Sequence, residues 1–190
     1  MSTFSLLSPP ADPKYCALLE IAKDTSYMEL PARGESIAGK LTDVRDYRMS
    51  ASAPGLQIAD VIKNAYGFLM VTEKLKTLIE GHAKGATIEY LAFRLLNHKN
   101  RVAADPCFIV NVLGRIDCAD KAQSKGVEDA EYGEYYIARK ISLIDAKLPP
   151  HQNIMRTTLF PGGVWVRDDL RKILEDHGVQ ARFVASGERI

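Results

Sequence analysis

The sequence predicts an α+β fold with a mixed or mainly antiparallel sheet and amphipathic helices, on three observations. A strand-helix-strand pattern occurs twice, a run rich in β-branched residues lies between the copies, and strand signals follow one another between residues 135 and 159 without obligatory helices. The chain has 190 residues, 46% of them hydrophobic and 26% charged. Those values suit a globular chain of one domain or two small ones, able to bury a sizeable core.

Along the chain, Tyr15 to Ala22 fits either a short strand or an amphipathic helix, because periodicity does not separate them. Ala32 to Ser52, with Gly34, Gly39 and many charges, reads as loops with one short strand around Leu41 to Tyr47. Ile58, Val61, Ile62 and Ala65 fall at helical spacing, and Gly67 stands where a left-handed cap would end that helix. The 45–190 stretch is taken as one domain, with 1–44 a poorly readable segment packed on it.

The repeat pairs Phe68 to Glu80 with Gly163 to Glu175. Val71 answers Val166, Leu75 answers Leu170, Leu78 and Ile79 answer Ile173 and Leu174, and His82 answers His177. Duplication and two units obeying the same packing rules both explain this. Thr72 and Asp168 are the expected helix caps, Gly178 the expected stop, and Thr87 to Phe93 and Ala181 to Ala185 the following extended stretches. Cys107 to Cys118 reads as a strand buried on both sides. Tyr135 to Ile144 reads as a strand with one wet face, Ile154 to Leu159 as a short strand, and Pro161-Gly162 as a type II turn.

Composition narrows the function classes. Twenty-five basic against 24 acidic residues give a formal net charge of +1, so neither nucleic acid nor an anionic membrane is called for by a global field. No apolar run approaches the roughly 20 residues of a spanning helix, and Pro9-Pro10 with no basic n-region argues against a signal peptide. Three cysteines, Cys16, Cys107 and Cys118, read as reduced buried thiols, and a cytoplasmic location is expected.

No catalytic, metal or cofactor constellation emerges. His82, His98, His151 and His177 have no metal-binding spacing, no glycine-rich phosphate cradle is present, and no serine sits in a nucleophile elbow. Tyr132, Tyr135 and Tyr136 read as packing with a polar rim, Trp165 as core, and Lys84, Arg94, His98, Lys99 and Arg101 as a solvated basic loop. Asp117 and Asp120 directly follow the buried strand, and Glu128, Asp129, Glu131 and Glu134 succeed them. One reading spends the two aspartates on turn backbone. Another makes all six a negative surface that steers a basic partner. The alternative function is a small hydrolase or metal-dependent enzyme using Asp117 and Asp120.

Phe108-Ile-Val-Asn-Val-Leu113, then Ile116-Asp-Cys-Ala-Asp120, then Ser124, resembles the central signature of the bacterial polymorphic-toxin immunity family numbered eleven. Asp60, Phe68 to Leu75, Val164 to Leu170 and Val179 to Phe183 agree with it, so the resemblance spans about Arg45 to Ala185. The chain departs where the family usually has a tyrosine, at Cys107 and Phe108, and a serine, near Thr72. The resemblance implies a non-enzymatic protein without cofactor that binds and occludes a cognate toxin. Its contact candidates are then Asp117, Asp120, Glu128, Asp129, Glu131 and Glu134. Self-association is left open, and neither membrane nor nucleic acid is the expected partner.

Overall fold

A computed structural model describes residues 3–20, 29–40 and 45–190. In chain order the strands are β1 (Phe4–Ser8), β2 (Ala17–Leu18), β3 (Arg45–Arg48), β4 (Val61–Asn64), β5 (Leu69–Thr72), β6 (Ile88–Leu96), β7 (Val102–Val112), β8 (Lys125–Glu128), β9 (Tyr135–Lys140), β10 (Ile154–Met155), β11 (Trp165–Arg167) and β12 (Arg182–Ala185). The helices are α1 (Glu29–Ala32), α2 (Glu73–His82) and α3 (Asp168–Asp176).

The α+β expectation is therefore corrected: the described chain is mostly β, built around a nearly closed six-stranded sheet. That sheet has the order β2-β4-β5-β7-β6-β3. Its two edges meet where Ser50, just past β3, donates its N–H to Ala17 O at 2.8 Å and accepts from Leu19 N–H on Oγ at 2.6 Å. Closing a sheet removes the unpaired edges that would otherwise recruit other strands. Amphipathic periodicity correctly marked the two longer helices, of 10 and 9 residues, and wrongly marked a third at 58–65. It said little about how far the strands would dominate, because strands buried on both faces lose their alternation.

Alternation across β7 sorts the side chains between two cores. Cys107 and Ile109 face the barrel interior with Leu18, Tyr47, Ile62, Met70, Phe93 and Leu95. Phe108, Val110 and Val112 face outward onto Leu75 and Ile79 of α2 and Leu170 and Leu174 of α3. A second sheet, β10-β11-β1-β12, covers the same helices. Its far face packs Phe4, Leu6, Met155 and Trp165 against Cys118, Tyr135 and Ile141. Fully burying each such aliphatic or aromatic side chain contributes about 1.5–3 kcal/mol.

Both strand-helix-strand segments are present and share one topology. β5 and β6 flank β7, and β11 and β12 flank β1, each central strand antiparallel to both neighbours. The N-terminal strand is thus an interior member of the second sheet. The 15–22 stretch contributes β2, and 41–47 contributes β3 from Arg45; Ile21, Ala22 and 41–44 lie outside the described residues.

Several local expectations are corrected. The helix over 58–65 is instead β4, a hairpin partner of β5, with Val61 in the inter-sheet core and Ile62 in the barrel. Asn64 closes that hairpin by accepting the N–H groups of Tyr66 and Phe68 at 3.1 and 3.3 Å, and Gly67 supplies a φ of +72°. Thr72 occupies the N-cap of α2 but makes no side-chain cap, because its hydroxyl goes to Asp60. Arg167, not Asp168, is the N-cap of α3. Gly178, at φ +62°, does end α3. The strands at 135–144 and 154–159 shorten to β9 and β10. The turn at Pro161-Gly162 is closed from Gly163 N–H to Phe160 O at 3.2 Å, but Gly162 does not take positive φ, so it is not type II. Glycine is needed at 163 instead, where a Cβ would stand 2.6 Å from the Phe160 ring and 2.8 Å from Leu6 Cδ1.

Asp60 is the buried tie between barrel and second unit. Its carboxylate accepts Thr72 Oγ1 at 2.6 Å, Gln180 N–H at 2.8 Å and Lys74 Nζ at 3.4 Å. Removing it strands a backbone donor, which costs about 1–3 kcal/mol. Asp60→Ala should lower unfolding free energy by that amount in a urea titration, and Asp60→Asn should recover part of it.

Candidate partner-binding face

The face around the β8–β9 hairpin is assembled from three segments far apart in sequence. The first is the loop after α1. Glu89 of β6 and Asn111 of β7 are cross-strand partners at one end of the barrel, on its interior side. The Glu89 carboxylate accepts Ser36 Oγ at 2.5 Å, Ile37 N–H at 3.1 Å and Asn111 Nδ2 at 3.0 Å. Asn111 also donates to Glu35 O at 2.9 Å. Burial pushes the Glu89 pKa up, but the hydrogen bonds outweigh it and leave it below the usual carboxylate value.

The second segment is held by Arg156. This fully buried guanidinium donates to Val112 O at 3.0 Å and to Pro161 O, with no carboxylate in an ion pair with it among the described residues. Burial lowers its pKa to about 10, so it remains charged at neutral pH. Gly34 lies against it: a Cβ there would be 2.9 Å from Arg156 Cδ and from Val112 O, and φ is +68°. One cation therefore registers both Arg33, through Gly34, and the 160–163 turn.

The third segment is the hairpin. Asp120 accepts the N–H groups of Ala122 and Gln123 at 3.0 and 3.1 Å, and its own N–H donates to Ser142 O. Ser124 Oγ donates to Asp120 O at 2.6 Å and accepts Ser142 N–H at 3.0 Å. At the tip, Asp129 accepts the N–H groups of Glu131 and Tyr132 at 2.9 and 3.3 Å, and Gly133 takes φ +67°. Glu134 then receives both Arg33 Nη2, at 3.2 Å, and Arg115 Nη1, and the Arg33 guanidinium stacks 4.1 Å from the Tyr132 ring centroid.

The six sequence-derived acids are placed as follows. Asp117 pairs with Lys147 at 3.1 Å and Glu128 with Lys121 at 2.5 Å. Glu134 pairs with Arg33 and Arg115. Asp120, Asp129 and Glu131 form no ion pair among the described residues. Local bases thus offset half of the negative charge that the linear sequence displays.

Sequence reading missed Arg33, Tyr66 and Phe160, which join Tyr132 and Tyr136 around a groove of about 390 Å³. The tyrosine cluster was the available signal, but it splits: Tyr135 is buried, whereas Tyr132 and Tyr136 are 52% and 63% exposed, with Ile137 beside them 51% exposed. The basic residues do not converge. Lys84 precedes β6 and Lys99 follows it, about 30 Å apart along nine extended residues. Arg94 is held bidentately by Asp46 at 2.7 and 2.9 Å, and His98 Nε2 meets Ser50 O. Trp165 is core.

Among the described residues no group of three His, Cys, Asp or Glu could hold a metal ion, and no helix is long and apolar enough to cross a membrane. The buried polar side chains Asp60, Asn111 and Arg156 each bond backbone groups of the scaffold, and Tyr132 and Tyr136 stand exposed on the hairpin. In the comparison with known families, the profile of the immunity protein family (Imm11) matches residues 24–182 of 190. The chain belongs to that family. The match begins upstream of Arg45, so it includes the Arg33 loop. No curated protein matches the chain. Membership makes it an immunity protein, with a toxin as its partner.

Because the Glu89 pKa lies below its unfolded value, its contribution to stability is full above about pH 4.3 and is lost as pH falls through the folded value. Hydrogen exchange at Ile37 and Ala38 should therefore quicken, relative to the barrel strands, between about pH 5 and pH 3, and Glu89→Gln should flatten that dependence. Burial raises all three thiols, Cys107 to about 12 and Cys118 to about 11. A thiol reagent at pH 8 should label none in the native protein and all three in urea.

Proposed function

We propose that this immunity protein acts in the cytoplasm by binding its cognate toxin and occluding it, through the face around the β8–β9 hairpin. Family membership over residues 24–182 is the observation that carries the toxin-binding part. The face is supported by the grouping of Tyr132, Tyr136 and Ile137 as exposed large side chains on one hairpin, since tyrosine and arginine are enriched at interface hot spots. Asp120, Asp129 and Glu131 supply charge with no ion-pair partner among the described residues, which would steer a basic toxin surface. Asp117, Glu128 and Glu134 lie within the same face and could exchange their present partners for the toxin's bases. An interface of about 1,200–2,000 Å² is the expected scale.

The Asp117 and Asp120 carboxylates give the hydrolase alternative little support. One is exposed and paired with Lys147, and the other closes a turn.

The test begins with recovery of a stoichiometric partner from the producing cell. That partner should be toxic when expressed alone and harmless when this chain is co-expressed. A combined Glu128→Lys, Asp129→Asn, Glu131→Lys variant should then associate at least about tenfold more slowly at low salt, with the gap closing as salt rises. Asparagine at 129 keeps the turn acceptor while removing the charge. Unchanged association kinetics would remove the face; toxicity that persists beside the intact chain would remove the reading itself.

A further inference from the structure

The groove beside the hairpin displays its own recognition chemistry. Arg33 lies on one tyrosine of that groove, its guanidinium 4.1 Å from the Tyr132 ring centroid and bonded to Glu134, a carboxylate it shares with Arg115. A second tyrosine, Tyr136, lines the same groove, is 63% exposed and has no cation over it among the described residues. Phe160, Pro161 and Tyr66 complete the lining of this groove of about 390 Å³. Asp129 also lines the groove, and its carboxylate has no ion-pair partner among the described residues.

We propose that this groove receives an arginine side chain of the partner, its guanidinium stacked on Tyr136 and directed to Asp129, repeating the internal arrangement of Arg33 on Tyr132 beside Glu134. The inference rests on the toxin-binding reading for the identity of the partner, and on the groove alone for the identity of the side chain. Arginine fits better than lysine for two reasons. A planar guanidinium stacks on an aromatic face, and its fork can bond a carboxylate in the same plane. An acidic or purely aliphatic side chain would leave Asp129 without a counter-charge.

The probe is N-acetyl-arginine amide, titrated into the isotope-labelled full chain and followed by amide chemical shifts. N-acetyl-leucine amide and N-acetyl-lysine amide are the comparisons. The arginine derivative should perturb residues 129–136 and 160–162 as one cluster. It should bind several-fold more tightly than either comparison, and should weaken several-fold in Asp129→Asn and in Tyr136→Ala at unchanged thermal midpoint. Shifts scattered over the surface, or equal responses to leucine and arginine, would overturn the proposal. Failure of this titration while the chain still neutralises its toxin removes the arginine site alone. Failure of neutralisation while the titration succeeds removes the toxin-binding reading alone. With a toxin in hand, Tyr136→Ala should weaken the complex about tenfold or more, as truncation of a central aromatic anchor does.

Discussion

The architecture depends on β7 being buried on both faces at once. One side of this strand closes the barrel through Cys107 and Ile109, and the other carries Phe108, Val110 and Val112 into the core shared with α2, α3 and the second sheet. A strand with two buried faces cannot slip by a single residue without exchanging one core for the other, so its register is strongly specified. Two of the three segments that build the outward face, the loop after α1 and the turn held by Arg156, hang from its C-terminal end. Asn111 holds Glu35 and Glu89, Val112 O receives Arg156, and Gly114 N–H donates to Gly34 O at 2.9 Å.

That dependence gives physical roles to the residues that carry the family resemblance. Asn111 anchors the loop that delivers Arg33. Asp120 and Ser124 fasten the base of the hairpin to Ser142, and Asp60 joins the barrel to the loop preceding β12. All are buried, or committed to backbone donors and acceptors, so they keep the scaffold in place; on the proposed reading, the outward tyrosines supply the contact surface. An immunity protein needs this division. The frame must hold its shape against the entropy cost of association, and the contact surface must match one toxin rather than another.

The charge pattern of the hairpin shows why linear counting overstated the patch. Arg33 and Arg115 approach from outside the acidic run, and Lys147 reaches Asp117 across 30 positions. The exposed Asp117–Lys147 pair contributes about 0–1 kcal/mol, whereas the pairs of Glu134 with Arg33 and Arg115 are half-buried. Their larger effect is on the local field, which bases reduce over Asp117, Glu128 and Glu134 and leave over Asp120, Asp129 and Glu131.

The sequence by itself determined the two amphipathic helices, the doubly buried 107–112 half of β7 (though not its start at Val102 nor its end at Val112, short of the expected Cys118), the core position of Trp165 and the family signature. Each is written in local spacing or in a contiguous run. It also exposed the tyrosine cluster and the acids, without saying which of them point outward. Tertiary structure alone decided that 61–64 is a strand, that the six-stranded sheet closes at Ser50, and that Arg33, Tyr66 and Phe160 share a groove with Tyr136. Such features depend on which distant backbone supplies the hydrogen-bond partner. A short apolar segment like Val61-Ile62 has no periodicity that distinguishes helix from buried strand until its ladder neighbour is in place.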